Sequence, residues 1–115
     1  LRVLIVDDEP SIRECLAAFL EMRGDEVTTT AETSAAWLAL QEPVHYDVLV
    51  CDGLNGDGPR LLRAVRNHFP RVRTILYSAN DALVEQEQQL GYAALLKGDS
   101  WQELLVAIDG AGMSR

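Results

Sequence analysis

Two stretches of the chain are apolar at every position: Val3-Leu4-Ile5-Val6 and Val48-Leu49-Val50-Cys51. A strand with one wet face alternates apolar and polar residues. Unbroken apolar runs of this length therefore predict strands covered on both faces, the situation in a parallel sheet. Both runs stop abruptly at carboxylates, Asp7-Asp8-Glu9 after the first and Asp52 after the second.

The remaining segments alternate between helical and strand patterns. Pro10 suits the first turn of a helix, where its missing N–H costs nothing. Ile12, Cys15, Leu16, Phe19 and Leu20 follow at helical spacing, and Gly24 ends the pattern. Val27 to Ala31 reads as a less buried strand rich in threonine, and Thr33 to Leu40 as a short helix closed by Pro43. Gly53 to Gly58 reads as a flexible loop, after which Pro59 opens a helix with Leu62, Val65 and Phe69 inward and Arg60, Arg63 and Arg66 outward. Val72 to Tyr77 is the fourth strand, ending at Ser78-Ala79-Asn80. Asp81 to Leu90 is a thinly amphipathic helix with a solvated Glu/Gln face, and Ala93 to Leu96 is a fifth strand ending at Lys97. Ser100 and Glu103 form a capping box for a last helix with Trp101, Leu104, Leu105 and Ile108 on its inner face. The sum is (βα)5: right-handed crossovers put helices on both faces of one doubly wound, five-stranded parallel sheet.

Charge narrows the function. The chain has 115 residues, 18 acidic and 10 basic, for a net charge of −8, and Lys97 is its only lysine. That balance argues against a nucleic-acid or anionic-membrane surface. No apolar stretch has the length of a membrane span and no signal peptide opens the chain, so a cytoplasmic location is expected. Cys15 and Cys51 form no CxxC pair, and His45 and His68 offer no zinc pattern. Both cysteines are expected to be small buried residues in a reducing compartment. Leu1 already lies inside an apolar run, so residues 1–115 are expected to be one domain cut from a longer protein.

Ligands of open parallel sheets bind beyond the carboxyl ends of the strands. Those ends carry Asp7, Asp8, Asp52, Ser78 and Lys97. Two carboxylates about 5 Å apart repel by about 3 kcal/mol at an effective dielectric near 20, so three together call for a cation. An all-oxygen site of this kind fits Mg²⁺. Singly, each residue has a plainer reading: Asp8 as a helix cap, Ser78 as a turn residue, Lys97 as a solvated charge. The joint placement favours a site.

With those residues in place, the chain resembles the receiver domain of two-component response regulators, of the CheY-like superfamily. The resemblance runs through Val3-Leu4-Ile5-Val6-Asp7-Asp8-Glu9, Asp47-Val48-Leu49-Val50-Cys51-Asp52, Ile75-Leu76-Tyr77-Ser78-Ala79 and Leu95-Leu96-Lys97. It implies a flavodoxin-like sheet in the order 2-1-3-4-5. It implies that Asp52 accepts a phosphoryl group from phosphohistidine on a sensor histidine kinase or histidine phosphotransfer protein, and that a linked effector domain or partner reads the result. Asp8 would ligate Mg²⁺ directly, Asp7 through water, and Asp52 and the Leu54 carbonyl would complete the protein ligands. Ser78 and Lys97 would bind the phosphoryl oxygens. The domain would catalyse its own phosphorylation and dephosphorylation rather than turn over a substrate.

Three departures from the family pattern stand out. The loop from Gly53 to Gly58 is about two residues shorter, with three glycines and no Met-Pro pair, which puts the Leu54 register in question. Gly98 follows Lys97 where the family has a cis proline; a non-proline cis bond costs about 2.5–4 kcal/mol, so a trans bond is expected. Ala94 occupies the position of the aromatic switch residue on strand five, and the nearest aromatic, Tyr92, comes too early. A methyl group cannot follow Ser78 inward, so signalling by an aromatic rotamer is not expected. The segment from Asp81 to Gly112 has Lys97 as its one basic residue and lacks the interleaved charges of the usual regulator dimer. These departures keep a second reading in view, a degenerate receiver acting as a phosphorylation-independent interaction module. A haloacid-dehalogenase-type hydrolase would need Asp-x-Asp after strand one, and a flavodoxin-like cofactor site would be repelled by Asp-Asp-Glu.

Overall fold

The structure, a computed structural model, describes residues 1–98 and 101–110. Strands β1 (Arg2–Val6), β2 (Glu26–Thr30), β3 (Val48–Cys51), β4 (Arg73–Ser78) and β5 (Ala94–Leu96) form one sheet in the order β2-β1-β3-β4-β5. Every pairing is parallel, as the unbroken apolar runs require. The helices are α1 (Pro10–Met22), α2 (Thr33–Leu40), α3 (Asp57–His68), α4 (Asp81–Gln89) and α5 (Trp101–Asp109), with one 3-10 turn at Leu54–Gly56.

Alternate residues of the central strands feed two separate cores. Val3, Ile5, Val48 and Val50 pack with Leu16 and Leu20 of α1 and with Leu104 and Ile108 of α5. Leu4, Val6, Leu49 and Cys51 pack with Leu40 of α2, Leu62 and Val65 of α3 and Val84 of α4. Burying each such side chain contributes about 1.5–3 kcal/mol, and this two-sided burial is what rules out polar residues from Val3 to Val6 and along β3. At the sheet edge β2 is the less buried strand expected, with Thr28 and Thr29 exposed and Val27 and Thr30 half-buried.

Several local expectations change in the folded chain. Cys15 is exposed, while Cys51 is buried as expected. Only Leu16 and Leu20 of α1 reach full burial, and Cys15 lies to one side of their stripe. Glu9 is the N-cap residue of α1, so Asp8 does not serve as the cap. The loop after β3 is shorter than the glycines imply, because α3 starts at Asp57 and takes in Gly58. Phe69 stands just past the end of α3 and meets Trp37 edge-on at 5.5 Å. Ser100, half of the expected capping box, lies outside the described residues. Glu87, expected on a solvated face, is buried.

Gly58 sits where α3 starts against the end of β3. Its N–H donates to the Gly53 carbonyl at 3.0 Å. A Cβ at this position would overlap the Asp52 carbonyl oxygen and lie 2.9 Å from the Gly53 carbonyl oxygen. Replacing glycine by alanine within a helix normally gains about 1 kcal/mol. At Gly58 the overlap outweighs that gain, so Gly58→Ala is expected to destabilise the domain by about 1–3 kcal/mol in urea unfolding. A neutral or stabilising result would contradict the close approach of α3 to Asp52.

Candidate functional site

Strand order brings the site together. β1 lies between β2 and β3, and Val6 is in register with Cys51, so the residues that follow them emerge side by side. Carboxylate oxygens of Asp7, Asp8 and Asp52 all lie within 4.8 Å of one another. Asp7 is buried, Asp52 half-buried and Asp8 exposed. Lys97 reaches in from the end of β5, and its Nζ lies 2.8 Å from Asp7 Oδ2 and 3.0 Å from Asp52 Oδ1. The Lys97 backbone N–H donates to the Ser78 carbonyl at 2.8 Å, which fixes the end of β5 to the end of β4. Ser78 is buried, and its Oγ accepts the Asn80 N–H at 3.1 Å.

Each acidic group is held by its neighbours. The second Asp7 oxygen accepts the Glu9 N–H at 2.9 Å, and Arg13 donates to the Asp7 carbonyl at 2.7 Å. Burial pushes the Asp7 carboxyl above its ordinary value; Lys97 and the Glu9 N–H oppose that rise, and the Asp52 charge adds to it. Burial by itself would lower the Lys97 ammonium, yet its hydrogen bonds to Asp7 and Asp52, with their charges, leave it raised. Burial pushes the Cys51 thiol up, with Asp52 and Asp7 adding to the effect, so Cys51 supplies no thiolate nucleophile.

The site opens to solvent through a cavity of about 490 Å³, lined by residues that include Asp8, Asp52, Leu54, Ser78, Asn80 and Lys97. All the residues singled out in the sequence therefore border one pocket or, for Asp7, adjoin it. Leu54 and Asn55 have φ of 48° and 54°, left-handed values that carry strain in L-residues, and the Leu54 carbonyl accepts the Asp57 N–H. The Lys97–Gly98 bond is trans, as expected, and Gly98 has φ of 98°. Proline is fixed near −65° and could not adopt it. Asn80 escaped sequence reading, although a residue of its type just before a helical pattern is a cap signal; its side chain accepts the Leu83 N–H at 3.1 Å. A larger cavity of about 810 Å³, between the α2–β3 and α3–β4 connections, contains neither the carboxylate cluster nor Lys97.

Sheet order and pocket together define a receiver-type signalling domain on a flavodoxin-like fold. The family model of the response regulator receiver domain matches residues 3–108, and the chain belongs to that family. Among curated relatives, the transcriptional regulatory protein TrcR of Mycobacterium tuberculosis is 30% identical over 115 residues, covering 96% of this chain and 44% of the relative. Among solved structures, the response regulator TrrA of Thermotoga maritima, in complex with Mg²⁺–BeF, is 26% identical with a TM-score of 0.81, covering 95% of this chain and 96% of that one. A receiver domain protein from Clostridium thermocellum is 25% identical with a TM-score of 0.82, covering 96% and 92%. The chain spans less than half the length of the curated relatives it matches. Among the described residues, no helix is long and apolar enough to cross a membrane.

Among the described residues Lys97 is the only cation paired with the Asp7 and Asp52 carboxylates, so removing it isolates two crowded carboxylates. Lys97→Met is expected to destabilise the metal-free domain by about 2–4 kcal/mol at pH 7, measured by urea unfolding. Adding Asp7→Asn should recover most of that loss. The cost should also shrink as pH falls into the range where Asp7, its carboxyl raised above the ordinary value by burial, takes up its proton. A cost that ignores pH would show that packing of the lysine stem, not charge, is responsible.

Proposed function

We propose that this domain is a phosphoacceptor switch in which Asp52 takes a phosphoryl group from phosphohistidine on a sensor histidine kinase or histidine phosphotransfer protein. The observation that carries the reading is a single ammonium bridging two members of a three-carboxylate cluster. Three carboxylates and one lysine leave a formal charge of −2, which a divalent ion neutralises. The donors are all oxygen and one side of the cluster is open, which fits Mg²⁺. Asp7, Asp8 and Asp52 would hold the ion, with the Leu54 carbonyl as a further ligand through its second lone pair. When bound, Mg²⁺ neutralises charge on the phosphoryl oxygens. The Mg²⁺–BeF complex of TrrA supports this reading.

The chain's own residues account for the rest. An Asp52 carboxylate oxygen attacks phosphorus without a general base, since a carboxylate is itself the nucleophile. The O–P bond of an acyl phosphate forms as the P–N bond breaks, and the imidazole keeps that electron pair. Lys97 exchanges its contact with Asp52 for one with a phosphoryl oxygen. The Ser78 hydroxyl donates to another oxygen while its lone pair still accepts the Asn80 N–H. Hydrolysis of the acyl phosphate in the same pocket resets the switch, so the domain promotes both directions of its own modification.

We also infer that this receiver, residues 1–115, works in the cytoplasm as one domain of a longer regulator. Its net charge of −8 supports an output through a linked effector domain or partner, with any DNA contact made outside this chain. The test is incubation with Mg²⁺ and a small acyl-phosphate donor, read by intact mass. A labile phosphoryl adduct is expected on the wild type and none on Asp52→Asn. Mg²⁺ should raise the melting temperature of the wild type, and Asp8→Asn should abolish that rise. No adduct, together with no Mg²⁺-dependent binding of beryllofluoride, would favour the degenerate interaction module instead.

A further inference from the structure

One buried carboxylate lies outside the proposed chemistry. Glu87 is 4% exposed, although Glu85, Gln86, Gln88 and Gln89 around it on α4 are all exposed. Its Oε1 meets Nη2 of Arg66, on α3, at 3.5 Å. The same guanidinium donates from Nε to Thr74 Oγ1 on β4 at 3.1 Å and lies 3.5 Å over the Tyr92 ring. Arg66 thus holds four segments at once: α3, β4, α4 and the turn that leads into β5.

Glu87 and Tyr92 reach Arg66 as one unit. The Tyr92 N–H donates to the Glu87 carbonyl at 3.0 Å and the Gly91 N–H to the Gln88 carbonyl at 2.9 Å. These two bonds, with Gly91 in the left-handed region, make the Schellman ending of α4 and fix the ring beside the carboxylate. The other end of α4 is tied to the acidic pocket. The Asn80 N–H donates to Ser78 Oγ, the Asn80 side chain caps the first turn, and Leu83 borders the pocket cavity. Glu87 follows Leu83 by one helical turn.

We propose that Arg66 is a latch that fastens α4 and the approach to β5 onto α3, and that loading of the Asp52 pocket acts on this latch through α4. This inference rests on the phosphoacceptor reading. A phosphoryl oxygen that draws the Ser78 hydroxyl toward it also draws the first turn of α4. A helix of this length moves as a body, and the motion drags Glu87 from its guanidinium. A buried carboxylate parted from its cation is strongly disfavoured, so the latch resists loading. The contact stands in for the aromatic that Ala94 lacks: Tyr92 cannot turn inward beside Ser78 while it is stacked under Arg66.

Reciprocity supplies the test, because a contact that resists loading must, when removed, make loading easier by the same factor. Beryllofluoride binding in the presence of Mg²⁺ would be measured by calorimetry for wild type, Arg66→Met and Tyr92→Ala, with amide hydrogen exchange of α4 in the free proteins. Arg66→Met is expected to bind beryllofluoride roughly fivefold or more tightly, and its α4 amides to exchange faster. Tyr92→Ala, which removes the ring under Arg66 but leaves the Glu87 contact in place, should shift affinity the same way by a smaller factor. Unchanged affinity in both variants overturns the proposal; if Arg66→Met does not fold, unchanged affinity in Tyr92→Ala alone overturns it. If the wild type binds no beryllofluoride and forms no acyl-phosphate adduct, the phosphoacceptor reading fails and the coupling falls with it. Faster α4 exchange in a variant would even then assign Arg66 its fastening role, and unchanged exchange would remove that too.

Discussion

The structure depends on the bridge from Lys97 to Asp7 and Asp52. Parallel order places β1 and β3 side by side, so their apolar runs deliver carboxylates to one end of the sheet whether or not anything balances them. Lys97 arrives from the end of β5, two strands away from β3. A single side chain therefore joins the centre of the sheet to its far edge, at the end where ligands of such sheets bind. β5 is only three residues long and pairs with β4 alone. Its docking is reinforced by the same contact that balances the pocket, so the edge strand and the charge balance stand or fall together.

That arrangement also explains why the pocket is poised and not relaxed. Burial favours a neutral Asp7, the neighbouring Asp52 charge adds to that preference, and Lys97 opposes both. The lysine satisfies two carboxylates and leaves Asp8 to solvent. Some of the free energy gained by packing both faces of β1 and β3 is thereby held as electrostatic tension at their ends. The left-handed backbone at Leu54 and Asn55 lies next to the same pocket and adds strain of another kind. A bound divalent cation would relieve the first and leave the second in place.

The fold was legible because the properties that define it are local. An unbroken apolar run reports burial on both faces, and carboxylates at its end report the edge of the core, so the sequence alone puts Asp7, Asp8, Asp52, Ser78 and Lys97 at one end of the sheet. What could not be read depends on the neighbours of a helix. Cys15 follows the apolar spacing of α1, yet it lies to one side of the stripe that meets the sheet, and only packing reveals which side. Glu87 lies in a Glu/Gln run that looks wholly solvated, and it is buried because Arg66 approaches from another helix. Gly58 looked like one more flexible loop residue, whereas its missing side chain is what lets α3 begin against the Asp52 carbonyl.

The departures from the family pattern follow a division between charge and shape. The charged groups that the resemblance calls for, Asp7, Asp8, Asp52 and Lys97, lie together in the pocket, while the altered residues, Ala94, Gly98 and the segment after Asp52, bear on the shape around it. Gly98 illustrates the difference. With φ of 98° the backbone turns in a way closed to proline, yet the Lys97 Nζ still reaches both carboxylates. Ala94 removes volume from β5 without opening its position, since the residue is 4% exposed. Nearby, the aromatic of this region sits two residues earlier, outside the sheet, stacked under a guanidinium from α3. Electrostatic recognition at short range tolerates few replacements, because moving a charge by a few ångströms changes the balance of the entire cluster. In this chain, accordingly, the departures fall around the pocket and not among its charged groups.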